Sequence, residues 1–221
     1  DDQQAALQQI KTAFSDDKPV LLHGITGSGK THVYLACIQE ALEAGNQALY
    51  LLPEIALTAQ MVKRIRATFG ERIAVYHSRF SANERVEIWQ KVLRHEVDLV
   101  IGARSALWLP FARLGLILVD EEQDASFKQQ DPAPRFHARD AALYLAQQSG
   151  ANIILGSATP SVESYQHALT GKYTLVELRQ RYGEARLPDV QLVNMRVAME
   201  QKQVHGLFSQ PLLRSMEESF H

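Results

Sequence analysis

Short apolar runs alternate along this chain with longer stretches in which apolar residues recur every three to four positions. The runs Val20–His23, Ala48–Leu52, Ile73–Tyr76, Leu99–Gly102, Leu116–Asp120 and Asn152–Leu155 predict strands. Between and around them, Gln3–Phe14, Thr31–Ala44, Ala56–Phe69, Ala82–Arg94, Ala138–Ser149 and Val162–Thr170 predict helices. Strands alternating with helices imply right-handed crossovers and a mostly parallel α/β sheet covered on both faces. In such sheets ligands bind beyond the carboxyl ends of the strands, so residues just after each strand carry the chemistry. Past Gly171 the style changes: Tyr173–Leu178 and Asp189–Asn194 predict two further strands around a polar, arginine-bearing segment. Ser209–Phe220 predicts a helix leaving the domain.

The residues after the first strand are Gly24-Ile25-Thr26-Gly27-Ser28-Gly29-Lys30-Thr31. They fit the phosphate-binding pattern G-x-x-x-x-G-K-[ST] at every fixed position, and they sit between strand and helix as that pattern requires. Glycines let backbone N–H groups curl around phosphate oxygens, and the helix N-terminus adds partial positive charge at the same point. Lys30 is placed to reach the β/γ-phosphates, and the Thr31 hydroxyl to ligate Mg²⁺.

The run Leu116–Val119 leads directly into Asp120-Glu121-Glu122-Gln123, a buried strand delivering carboxylates to the sheet edge. In a phosphate-loop protein the first acid, Asp120, holds Mg²⁺. Glu121 is then the candidate base for the attacking water. Ser157-Ala158-Thr159 follows the next strand, where small hydroxyls beside the acids can bond to them and sense the γ-phosphate.

Composition changes this picture little. The chain has 221 residues, 46% of them hydrophobic, with a formal charge of −2. That is ordinary globular composition, and it neither supports nor excludes nucleic acid. Cys37 is the single cysteine, which excludes an intrachain disulfide or a cysteine zinc cluster here and fits a reducing cytosol. No apolar run approaches the ~20 residues of a membrane helix. The acidic, polar N-terminus is unlike a signal peptide. No Asn-Lys-x-Asp guanine reader is present, which disfavours a GTPase or small-molecule kinase.

Further motifs accompany the loop: Leu52-Pro53-Glu54-Ile55-Ala56-Leu57-Thr58, Tyr76-His77-Ser78, Ile101-Gly102-Ala103-Arg104-Ser105-Ala106, Phe127-Lys128-Gln129-Gln130 and Arg135-Phe136-His137-Ala138-Arg139-Asp140. As an ordered set they resemble the first motor lobe of superfamily 2 helicases, and within them the bacterial primosomal replication-restart helicases. The resemblance runs over nearly the whole chain.

It implies a RecA-like ATP-binding lobe over residues 1–195, with 196–221 a linker and helix leading toward a second lobe. It implies ATP with Mg²⁺, Gln3 as the adenine reader, and Gly24 and Thr26–Thr31 around the phosphates. It also implies DNA contacts through Pro53, Glu54, Thr58, Arg104, Ser105, Phe127, Lys128, Arg135 and Phe136. Pro53, Glu54 and Thr58 would open a helix whose amides hold a phosphate, the alternative for Glu54 being a charge favourable to the helix dipole. Phe127 and Phe136 either stack on unpaired bases or pack in the core. Trp89 and Trp108 are expected to be packing residues.

Gln123, Ser157 and Thr159 would couple DNA to hydrolysis. Gln123 stands where the family usually has a histidine, so this link can hydrogen-bond but cannot titrate near neutral pH. The family's second lobe with arginine fingers, its zinc module and its N-terminal DNA-binding region have no counterpart here. The chain is therefore expected to be one lobe of a larger cytoplasmic, monomeric protein acting on forked and single-stranded DNA. Its partners by resemblance are single-stranded-DNA-binding protein and primosome loading factors. A lobe that binds DNA under nucleotide control without turnover is the alternative.

Overall fold

A computed structural model describes residues 2–180 and 190–219. The chain divides into two compact units, residues 1–184 and 185–221. The first ends before the boundary at 195 read from the sequence, and Asn194 goes with the second.

In chain order the first unit runs α1 (Asp2–Ser15), β1 (Val20–Gly24), α2 (Lys30–Glu43), β2 (Gln47–Leu51), α3 (Ala59–Phe69), β3 (Ile73–Tyr76), α4 (Ala82–Leu93) and β4 (Leu99–Gly102). It continues with β5 (Leu114–Asp120), α5 (Ala138–Ser149), β6 (Asn152–Ser157), α6 (Val162–Leu169) and β7 (Thr174–Leu178). The seven strands form one sheet in the order β3-β4-β2-β5-β6-β1-β7. Every neighbouring pair is parallel.

Because side chains alternate across a strand, the sheet feeds two core layers. Leu116 and Leu118 of β5 pack with Ile10 of α1, Val33 and Ile38 of α2 and Ile65 of α3. Ile117 and Val119 of the same strand pack with Val92 of α4, Ala142 and Ala146 of α5 and Ala168 of α6. Burial on both faces explains why these strands read as unbroken apolar runs. Parallel order also brings every strand's carboxyl end to one edge, which is where the candidate site lies.

Three expectations are corrected. Helix α3 starts at Ala59, not Ala56, because a 3₁₀ turn at Glu54–Ala56 intervenes and Thr58 caps the helix by accepting from the Met61 amide at 3.3 Å. Of the expected strand Asp189–Asn194, Asp189 lies outside the described residues and 190–194 form no strand. The last helix, expected over Ser209–Phe220, is α8 (Gln210–Ser219), with Phe220 outside the described residues.

The second unit holds α7 (Met195–Glu200), a two-stranded antiparallel hairpin of β8 (Val204–His205) and β9 (Phe208–Ser209), and α8. Asn194 caps α7, its side-chain oxygen accepting from the amides of Arg196 and Val197.

Candidate ATP site and nucleic-acid face

The loop from Gly24 to Gly29 joins β1 to α2 and turns tightly, with the Ser28 amide donating to the Ile25 carbonyl at 3.0 Å. Gly27 and Gly29 have φ of 80° and 89°, the left-handed region that glycine enters without steric cost. A side chain at Gly29 would also collide with the Gln3 amide of α1, so that glycine lets Gln3 lie against the loop. Lys30 Nζ donates to the Gly24 carbonyl at 2.7 Å, which folds the ammonium over the loop. Ser28 is 3% exposed, and its Oγ is buried without a hydrogen-bond partner among the described residues. An orphaned buried hydroxyl, a lysine held over the loop and backbone amides at a helix start together fit a phosphate group.

Across from the loop, β5 delivers Asp120. Two tyrosines donate to it: Tyr34 of α2 to Oδ1 at 3.0 Å and Tyr50 of β2 to Oδ2 at 3.3 Å. Burial still holds the Asp120 carboxyl above the usual carboxylate range, with the Glu121 charge acting in the same direction. Burial and the same carboxylates push both phenols well above the ordinary tyrosine value, so both remain donors. Tyr34 reaches Asp120 past Gly156, where any side chain would overlap its hydroxyl. Asp120, Thr31, Thr58 and Arg64 share one cleft of about 330 Å³. A hydroxyl and a carboxylate facing one cleft are the two protein oxygens that Mg²⁺ takes beside waters and phosphate oxygens.

Glu121 has φ of 50°, uncommon for a side-chain-bearing residue and typical of strained functional positions. The turn turns Glu121 and Glu122 to different environments. Gln123 Nε2 donates to Glu121 Oε2 at 2.8 Å, and Gln123 Oε1 accepts from Ser157 Oγ at 2.5 Å. Ser157 Oγ in turn accepts from the Thr159 amide at 2.9 Å. Glu122 is fully buried. It accepts from the Ser161 amide and hydroxyl, from Ser164 Oγ, and from Arg139 Nη1 at 3.1 Å.

The residues expected to touch DNA divide into two groups. Lys128 and Arg135 are exposed, Glu54 accepts from Ser78 Oγ at 2.5 Å, and Ser105 is half-buried. Pro53 is buried, which removes it from any DNA surface in this conformation. Thr58 spends its hydroxyl on capping α3. Arg104 donates to the Ser126 and Lys128 carbonyls at 2.8 and 3.3 Å and so braces the loop after the acids. Phe127 is 1% exposed and belongs to the core below β5, so base stacking by Phe127 is corrected to packing. Phe136 is half-buried, its ring meeting Trp108 edge to face at 5.2 Å.

Sequence reasoning gave no individual role to Tyr34, Tyr50, Glu122, Arg139 or Gly156. Tyr34 alone left a usable signal, one helical turn past Lys30 on the buried side of α2.

The DEAD/DEAH box helicase family matches residues 1–168. The chain belongs to that family. It is 43% identical over 99% of its length to the replication restart protein PriA of Bacillus subtilis, and 42% identical over 98% to that of Chlamydia pneumoniae. It spans only 27% and 29% of those two relatives. RecG bound to a three-way DNA junction superposes with a TM-score of 0.60 over 84% of this chain and 24% of its own, at 24% identity. The helicase MrfA bound to DNA gives 0.54 over 81% and 27%, at 19% identity. The two structural likenesses show the fold alone, a mostly parallel sheet with helices around it. Among the described residues no helix is long and apolar enough to cross a membrane.

Proposed function

We propose that the chain is the first motor lobe of an ATP-dependent DNA helicase acting at stalled or abandoned replication forks. The observation that carries this reading is the convergence at one sheet edge of the Gly24–Thr31 loop, Asp120 and the Glu121–Gln123–Ser157 chain of hydrogen bonds. The length and identity of the match to replication restart proteins support its pathway.

In this reading Gln3 orients adenine, and the amides of Gly27–Thr31 with Lys30 cradle the phosphates. Thr31 and Asp120 would hold Mg²⁺, which would supply neutralisation of phosphate charge. Glu121 accepts a proton from the attacking water. Gln123 positions Glu121 and ties it to Ser157 and Thr159, so movement of that loop reaches the base directly. Glu54, Arg104, Ser105, Lys128, Arg135 and Phe136 form the DNA side.

The second unit leads toward a second motor lobe, whose arginines would complete the site. A zinc module belongs to a part of the protein outside this chain. Its setting is the cytoplasm, as a monomer working with single-stranded-DNA-binding protein and primosome loading factors. Calorimetry with MgATP tests the nucleotide half: binding is expected for the native chain, with GTP a poor competitor. Lys30→Ala is expected to lose at least ten-fold in affinity, and unchanged affinity would contradict the loop's role.

A further inference from the structure

The segment after β4 carries an aromatic residue that packing does not explain. Trp108 ends a 3₁₀ turn at Arg104–Trp108 and is 63% exposed, although it was expected to be a packing residue. The turn's other apolar side chains, Ala106 and Leu107, are buried in the core, so exposure is particular to the tryptophan. Its single ring partner among the described residues is Phe136, met edge to face at 5.2 Å and 75°. That contact supports one side of the indole and leaves much of it open to solvent.

The cations around the pair are placed by backbone bonds. Lys128 and His137 form an antiparallel bridge, and the Gln129 amide donates to the Phe136 carbonyl at 2.8 Å. Exposed Lys128 and Arg135 therefore flank Phe136 on a short hairpin, and Arg104 braces that hairpin from Trp108's own turn. Asp131 at the hairpin tip is the exposed acid on this segment. An exposed aromatic backed by a second ring, with two exposed cations flanking that ring, is the combination that binds single-stranded nucleic acid, bases on the ring and phosphates on the cations.

We propose that Trp108, backed by Phe136, is a base-stacking platform for single-stranded DNA, taking the role that buried Phe127 cannot fill. The inference rests on the helicase reading of the lobe and adds one contact to it. Stacking is indifferent to base identity, so the platform holds DNA of any sequence. It supplies grip that salt does not screen, because stacking neutralises no phosphate.

The test uses the full-length protein and a fluorescent oligothymidylate, with affinity read by anisotropy across a salt series. Trp108→Ala is expected to weaken binding on the order of ten-fold, within the range of one lost base stack. The slope of log affinity on log salt stays unchanged. Trp108→Phe recovers most of the loss, which also answers misfolding of the alanine variant. An abasic oligonucleotide of the same length binds both native and Trp108→Ala proteins equally. Lys128→Ala instead lowers the salt slope by about 0.7, as expected for one phosphate contact on a single strand.

If Trp108→Ala binds oligothymidylate like the native protein, the platform is wrong while the DNA reading stands. If Trp108→Ala weakens the abasic strand equally, the residue serves structure and the proposal fails. If the native protein binds neither strand, both the platform and the DNA reading fall.

Discussion

The side-chain amide of Gln123 donates to the Glu121 carboxylate at 2.8 Å, so the residue proposed as base is oriented by a neighbour two positions away. The same Gln123 accepts from Ser157 on the adjacent strand, making it the bridge between the acids and the Ser157–Thr159 loop. Gln123→Ala is expected to lower DNA-stimulated ATP turnover about ten-fold or more while leaving MgATP affinity within a factor of two, as for loss of a positioning contact. Because the amide does not titrate, the native link is insensitive to pH between 6 and 8. Gln123→His should introduce a turnover step near pH 6.5. Steady-state kinetics over that range distinguish the two.

Arg139 and Glu122 form a pair of another kind, with side chains 12% and 0% exposed. Burial of a carboxylate is tolerated there because three further donors, from Ser161 and Ser164, satisfy it. Glu122→Ala removes one of the two carboxylates that Arg139 meets, Asp140 at 2.9 Å being the other, and leaves the Ser161 and Ser164 donors unmet, so it is expected to cost about 1–3 kcal/mol in urea unfolding. Glu122→Gln keeps most of the hydrogen bonds and should cost less. An alanine variant as stable as the native chain would contradict the network's role.

Asp120 sits where its charge is expensive. Burial raises its carboxyl pKa, so ionisation at neutral pH opposes folding, and that cost disappears as pH falls through the raised value. Asp120→Asn is therefore expected to stabilise the lobe by on the order of 1 kcal/mol in thermal unfolding. The same variant should lose Mg²⁺-dependent nucleotide binding by calorimetry. Stability and binding moving in opposite directions is the signature of a site held ready for a cation.

At the alkaline end three buried groups act together. Burial pushes the Cys37 thiol up to about 12 from an ordinary 9.0, and both Tyr34 and Tyr50 lie well above 10.0. All three favour the protonated form in the fold, so their contribution is complete below pH 9 and is lost as pH rises toward 12. Denaturant titrations should show stability falling across that window. Native Cys37, 6% exposed, should resist alkylation at pH 8 and react fully once unfolded.

Much of the fold was legible because parallel strands buried on both faces leave continuous apolar runs, as at Leu116–Val119. The phosphate loop was legible because glycine is needed at fixed points, and Gly27 and Gly29 do take left-handed backbone. What escaped notice depends on the third dimension. Ala56 and Leu57 continue a helical pattern that Thr58 interrupts only through its cap. Phe127 looks like a surface aromatic beside Lys128, yet a 3₁₀ turn points it under β5. Glu122 is one of three consecutive acids, and nothing in its spacing separates it from its neighbours. Only the left-handed turn at Glu121 sends it inward to Arg139. Trp108 gave the reverse error, a large apolar residue left on the surface.

In the proposed function Glu121 is the group through which DNA binding speeds ATP hydrolysis. This role is tested most directly by ATP turnover with and without forked DNA, using a chain that continues through the second lobe, alongside its Glu121→Gln variant. Turnover is expected to rise strongly with forked DNA, and the rise should vanish in the variant while MgATP still binds. Turnover indifferent to DNA, or a variant as active as the native protein, would contradict the account.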